Sequence, residues 1–137
     1  MNQPVVRIGI GVFVWRNGTF LMGKRRGSHG HDTWSIPGGH LDFGETIAEG
    51  AAREVLEETG MRITNVRFLA LTEDFFPGDN KQYITIWVES DWLEGEPTIT
   101  EPDKYLDHQW RTFKTLPSPL FEPCWQNLKK AQPELFA

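Results

Sequence analysis

The sequence predicts an α/β fold, and three observations carry that prediction. Two apolar stretches flank Asn17-Gly18, a strong hairpin signal because both central positions of the favoured two-residue turn need positive φ. One capped helix spans Thr46 to Thr59. Two further β-rich stretches come after it, joined by the turn-rich Pro77-Gly78-Asp79-Asn80.

The elements follow in order. Val5 to Trp15 is rich in Val, Ile and Phe and reads as a long strand, with Thr19 to Lys24 as its hairpin partner. Arg25 to Thr33 is a polar loop. Trp34-Ser35-Ile36 is a short strand stopped by Pro37-Gly38-Gly39. In the helix, Thr46 is the N-cap, Glu49 completes a capping box and Gly60 is the C-terminal stop. Arg62 to Asp74 and Gln82 to Ser90 are strands, Pro97 to Asp103 is a loop, and His108 to Phe113 is the last strand. Pro119 to Lys130 is a closing helix with proline near its first turn.

Composition narrows the function. The 137 residues fit one domain, 1–137, large enough for a core without disulfides. A net charge of -5 argues against binding a nucleic acid polymer, which needs clustered Lys and Arg; free polyphosphates remain open if metal ions supply positive charge. Cys124 is the single cysteine, and no Cys/His spacing of the zinc type occurs, as suits a reducing, cytoplasmic setting. Met1 to Trp15 is apolar only from Ile8 onward and is broken by Gly9 and Gly11, unlike a signal peptide. No apolar run is long enough to span a bilayer, so no membrane association is expected.

On a helical wheel, Ala48, Ala52, Val55, Leu56 and Thr59 form the expected core face, with Glu54, Glu57 and Glu58 on a nearly opposite arc. Three carboxylates at i, i+3 and i+4 repel one another, and they lie in the last turns of the helix, where its dipole disfavours anions. A solvated acidic face explains such a cluster in many helices. Hard divalent cations with oxygen ligands resolve the conflict instead, and magnesium favours carboxylates, water and substrate phosphates.

Gly39, Glu45 and Arg53-Glu54-Val55-Leu56-Glu57-Glu58-Thr59-Gly60-Met61 fit the pattern G-x5-E-x7-R-E-U-x-E-E-x-G-U, with U bulky and apolar. The chain therefore resembles the Nudix hydrolases. Gly23-Lys24-Arg25, Gly27-Ser28, Pro37-Gly38-Gly39-His40 and Leu41-Asp42-Phe43-Gly44-Glu45 are similar to a MutT-type nucleotide pyrophosphohydrolase subgroup. So are Tyr83 to Ile86, Glu101 to Lys104 with Trp110, and Leu116 to Phe121; Tyr105-Leu106 and His108 depart from it.

The resemblance implies an α/β/α sandwich with a mixed central sheet and a loop-helix-loop motif. It implies that Glu54, Glu57, Glu58 and the Gly39 carbonyl bind Mg2+, with Mn2+ as an alternative ion. Arg53 would orient a glutamate and pair with Glu45. Glu101 is the candidate for a remote ligand or the general base, with Glu58 as the rival for the base. Gly38 and Gly39 suit close approach of backbone to metal and phosphate. Arg25 is the candidate for the phosphate tail, and His40 either touches substrate or caps its loop. Phe75, Trp110 and Phe121 either stack on a base or pack in the interior.

The reaction implied is hydrolysis of a nucleoside triphosphate to the monophosphate and pyrophosphate, with 8-oxo-dGTP, dGTP, dCTP or CTP as substrates. Another diphosphate, such as a nucleotide sugar, ADP-ribose or a prenyl diphosphate, is the alternative. A non-catalytic nucleotide sensor is the alternative of another class. A homodimer is compatible with the subgroup and with the aromatic content.

Overall fold

The computed structural model describes residues 4–137, so the part of the signal-peptide reading that falls on Met1–Gln3 lies outside the described residues. The strands are β1 (Val5–Arg16), β2 (Thr19–Arg25), β3 (Trp34–Ser35), β4 (Gly38–His40), β5 (Arg62–Phe76), β6 (Lys81–Glu94) and β7 (Tyr105–Arg111). The helices are α1 (Ile47–Thr59) and α2 (Cys124–Ala131). The sheet runs β3-β2-β1-β6-β5, with β4 beside β1 and β7 beside β2. β1 and β6 are parallel and the other pairs antiparallel, which makes the sheet mixed.

Local chemistry accounts for the best-defined joints. Asn17 and Gly18 both adopt positive φ, 53° and 76°, and turn β1 into β2. The Thr46 side chain accepts from the Glu49 amide while the Glu49 side chain accepts from the Thr46 amide, closing the capping box. Gly60 ends α1 in the left-handed region at φ 77°.

Two cores lie on opposite faces of the sheet, as a sandwich requires. One face packs Ile10, Val12, Val14, Leu21 and Val88 against Ala51 and Val55 of α1. The other packs Phe13, Phe20, Met22 and Trp87 against Trp125 and Leu128 of α2. β1 feeds both, so Gly9 to Val14 are buried without interruption, the signature of a central strand. β5 is the sheet's edge. There α2 reaches across: Asn127 Nδ2 donates to the Glu73 carbonyl at 3.0 Å and Gln132 Nε2 to the Leu69 carbonyl at 3.3 Å. These side chains occupy acceptors that another strand would otherwise use.

Four expectations need correction. Pro37-Gly38-Gly39 does more than stop a strand, because Gly38–His40 forms β4 and pairs with Gly9, Ile10 and Gly11. The closing helix begins at Cys124, not Pro119; Pro119 to Phe121 runs beside Trp34 and exchanges backbone hydrogen bonds with it. The last strand begins at Tyr105 rather than His108, paired along β2. Finally, α1 is turned from the expected wheel. Gly50, Ala51, Val55, Glu58 and Thr59 are buried, whereas Ala48 and Leu56 are exposed. The helix presents part of its acidic stripe inward.

Candidate active site

The sheet is split where β1 pairs with β2 only at Trp15↔Phe20 and Arg16↔Thr19. Farther along, β1 takes β4 as its neighbour while β2 takes β3. A cavity of about 370 Å³ opens there, lined by Gly9, Gly11, Thr85 and Trp87 on the α2 face and by Glu58 of α1. In the row Gly9, Gly11, Phe13, two positions lack side chains, and the Tyr83 and Trp87 rings lie close against them at the cavity floor.

The carboxylates of α1 differ in environment. Glu58 is 5% exposed. Its Oε1 accepts from the Gly38 amide at 2.8 Å and its Oε2 from the Tyr105 hydroxyl at 3.2 Å. Burial pushes its pKa up to about 8, against the pull of those donors, and the charges of Glu54 and Glu101 add to the rise. Glu54 is raised as well, chiefly by burial and against its bond to Arg53. Glu57 is about half exposed, with Oε2 3.4 Å from Arg53 Nη1.

Arg53 organises this group. Its Nε and Nη2 grip the two Glu45 oxygens at 2.6 and 2.9 Å, and Nη1 reaches Glu54 at 2.8 Å. Nη2 also donates to the His40 carbonyl at 2.9 Å, tying the helix to β4. This bidentate grip, with the Asp42 amide on Glu45 Oε1, lowers the Glu45 pKa to about 2.

The two glycines of β4 have separate reasons. A Cβ on Gly38 would collide with the Ile10 carbonyl oxygen. A Cβ on Gly39 would sit 2.5 Å from the Glu54 carboxyl group, so glycine lets that carboxylate lie against the main chain. The loop carrying Glu101 docks on the C-terminal carbonyls of α1: the Thr98 amide donates to the Thr59 carbonyl at 2.9 Å and Thr100 Oγ1 to that of Glu57. Glu101 pairs with Lys104 at 3.2 Å, and Lys104 lines the cavity.

The NUDIX domain family matches residues 5–132 of this chain. The chain belongs to the Nudix family. It is 30% identical to the oxidized purine nucleoside triphosphate hydrolase of Danio rerio, over 83% of this chain and 69% of that protein. It is also 30% identical to the nucleoside triphosphatase NudI of Enterobacter sp. (strain 638), over 75% and 79%. A MutT NUDIX hydrolase from Burkholderia pseudomallei has the same fold, with TM-score 0.83, 26% identity and coverage of 91% of this chain and 97% of that one. The protein is a Nudix hydrolase, and its mixed sheet with flanking helices is the Nudix fold.

The structure brings several sequence-predicted Nudix site residues to the cavity. Arg25, Gly38, Gly39, His40, Glu58 and Phe121 line it. Arg25 lies over the Phe121 ring at 4.1 Å, and His40 Nε2 is 3.0 Å from the Tyr83 hydroxyl. Arg53, Glu54, Glu57, Glu101, Phe75 and Trp110 do not line the cavity. Phe75 is 61% exposed on the face of β5 opposite Phe76, and Phe76 takes the place expected of it. Trp110 packs against the α1-side core and near the Arg16 guanidinium.

Other residues contribute that the sequence pattern does not single out. Tyr105, a departure from the subgroup, holds Glu58. Tyr83, Thr85, Phe76 and His29 line the cavity. The glycines at alternate positions 9 and 11 of a strand were the available signal for an emptied face.

Donors around Glu54, Glu58 and the β4 backbone are all oxygen, the chemistry of a hard divalent cation. Among the described residues no three His, Cys, Asp or Glu side chains already converge as an ion cage. The Gly39 cradle and the charge-starved Glu58 carboxyl nevertheless fit a cation at the α1 end of the cavity.

Proposed function

We propose that this Nudix hydrolase cleaves a nucleoside triphosphate to the monophosphate and pyrophosphate with the aid of Mg2+ or Mn2+. The observation that carries this reading is the single cavity joining Glu58 and Gly38 to the aromatic wall of Phe76, Tyr83 and Phe121. One end suits charge and phosphate, the other a flat apolar base. The names of the Danio rerio and Enterobacter relatives support the same substrate class.

Each residue has a task. Glu54, Glu57, Glu58 and the Gly39 carbonyl would hold the cation, which neutralises phosphate oxygens and acidifies water when bound. Arg25 and Lys104 receive phosphate oxygens at the cavity wall. Arg53 fixes Glu54 and, through the His40 carbonyl, the position of β4. Water adds to one phosphorus, the bridging P–O bond breaks, and the water's proton passes to Glu58 or Glu101. A cytoplasmic setting belongs to the same reading, supported by the lone, buried Cys124. Among the described residues no helix is long and apolar enough to cross a membrane. A homodimer is proposed on the resemblance alone, and sedimentation equilibrium decides it.

The test is a panel of nucleoside triphosphates, nucleotide sugars, ADP-ribose and prenyl diphosphates, assayed for pyrophosphate and orthophosphate with each metal. The reading expects pyrophosphate from triphosphates. Turnover confined to the other diphosphates contradicts it.

A further inference from the structure

His29 lies in the loop between β2 and β3, and its ring lines the cavity. It stands edge-on to Phe76, with centroids 4.7 Å apart at 63°, and to Phe121, at 5.1 Å and 82°. Those two phenyl rings stack on each other at 5.5 Å and 21°. They leave no gap for a base between them, so a base must lie against the wall they form, with the imidazole at its rim.

The histidine's two nitrogens have different surroundings. Nδ1 is 2.8 Å from Asp79 Oδ2, on the turn joining β5 to β6. An ionised carboxylate only accepts, so Nδ1 carries the hydrogen. In a neutral imidazole the other nitrogen then holds a lone pair. Nε2 has no hydrogen-bond partner among the described residues. Burial lowers the ring's pKa, aided by Arg25 and Lys81 and opposed by Asp79, which keeps the imidazole neutral near pH 7. Arg25 Nε donates to the His29 carbonyl at 3.2 Å and steadies the backbone.

We propose that His29 is a specificity-determining residue: oriented by Asp79, it offers Nε2 as a hydrogen-bond acceptor to an exocyclic amine on the substrate's base. This rests on the nucleotide reading above and narrows it to amine-bearing bases. Asp79 is the positioning residue, since it reaches the substrate only through the imidazole.

A clasp that merely joined the two loops would affect every nucleotide alike. The proposal is therefore tested on pairs differing at one amine, GTP against ITP and CTP against UTP, by kcat/KM. Wild type should favour the amine-bearing member of at least one pair by about tenfold, the order expected when a recognition group loses its partner. His29→Leu should bring that ratio to within about twofold. Asp79→Asn, on an exposed turn, frees the tautomer and should reduce the ratio without abolishing turnover. His29→Gln, which places an acceptor near the same point, should restore part of it. Equal ratios in wild type, or an equal loss on both members in His29→Leu, overturn the role of His29 while leaving nucleotide hydrolysis standing. Turnover of none of the four, in either ribose or deoxyribose form, overturns both readings.

Discussion

The Gly38 amide donates a 2.8 Å hydrogen bond to Glu58 Oε1, so the strand β4 and the helix α1 meet at one buried carboxyl group. That group is held between a costly desolvation and two oriented donors. Its pKa of about 8 has a consequence for stability.

Without metal, folded Glu58 keeps its proton to about pH 8, whereas the unfolded chain releases it near pH 4.5. Between those values the native state binds more protons, so stability falls as pH rises. His29, His40 and His108, all lowered by burial, act in the opposite sense, an effect that fades over about one pH unit above their unfolded value of 6.5. Through the window from about pH 7 to 8 the histidine contribution fades, and Glu58, with Glu54 acting in the same sense, sets the sign of the slope. Thermal unfolding in chelator should show a loss of about 1 kcal/mol across it. Glu58→Gln should flatten the slope, and an unchanged slope in that variant would remove Glu58 as its cause.

Glu45 behaves oppositely. Its pKa of about 2 lies below the unfolded 4.5, so its contribution is complete above pH 4.5 and disappears as pH falls toward 2. Glu45→Gln should abolish that part of the acid sensitivity, read by acid titration of circular dichroism. Arg53→Lys loses the fork that spans both Glu45 oxygens and Glu54. It should lower kcat by about 100-fold, a loss on the scale of misplaced catalytic groups.

The glycines of β4 should separate folding from chemistry. Gly38→Ala forces backbone apart at Ile10 and should cost about 1 to 3 kcal/mol of stability, measured by urea unfolding. In Gly39→Ala the obstructing group is the Glu54 side chain, which can move. Its melting temperature should change less, while metal-dependent activity falls steeply. A reversed order of stabilities would contradict the assigned contacts.

Much of the scaffold was legible because it is written locally. The Asn17-Gly18 turn, the Thr46–Glu49 box and the Gly60 stop each depend on neighbours within four residues. What failed was phase. Adjacent Phe75 and Phe76 point to opposite faces, and which one enters the interior depends on the bulged register of β5 against β6, with shifts near Thr64 and Phe68. The orientation of α1 departs from its helical wheel for a related reason. A wheel ranks faces by apolarity, whereas Glu54 and Glu58 are drawn inward by a glycine cradle and two donors from distant strands. The residues that close the cavity, Tyr105, Tyr83 and His29, come from three separate segments, and no short-range pattern joins them.

The acidic cluster itself is tested most directly by comparing wild type with Glu57→Gln in magnesium and a nucleoside triphosphate, following pyrophosphate release. Glu57 is about half exposed and makes only a long contact to Arg53, so its amide variant should fold and melt like wild type. The account predicts a fall in kcat of about 100-fold or more, the scale of removing one preorganised charged group. Wild-type turnover in that variant would contradict the claim that the carboxylates of α1 carry the reaction.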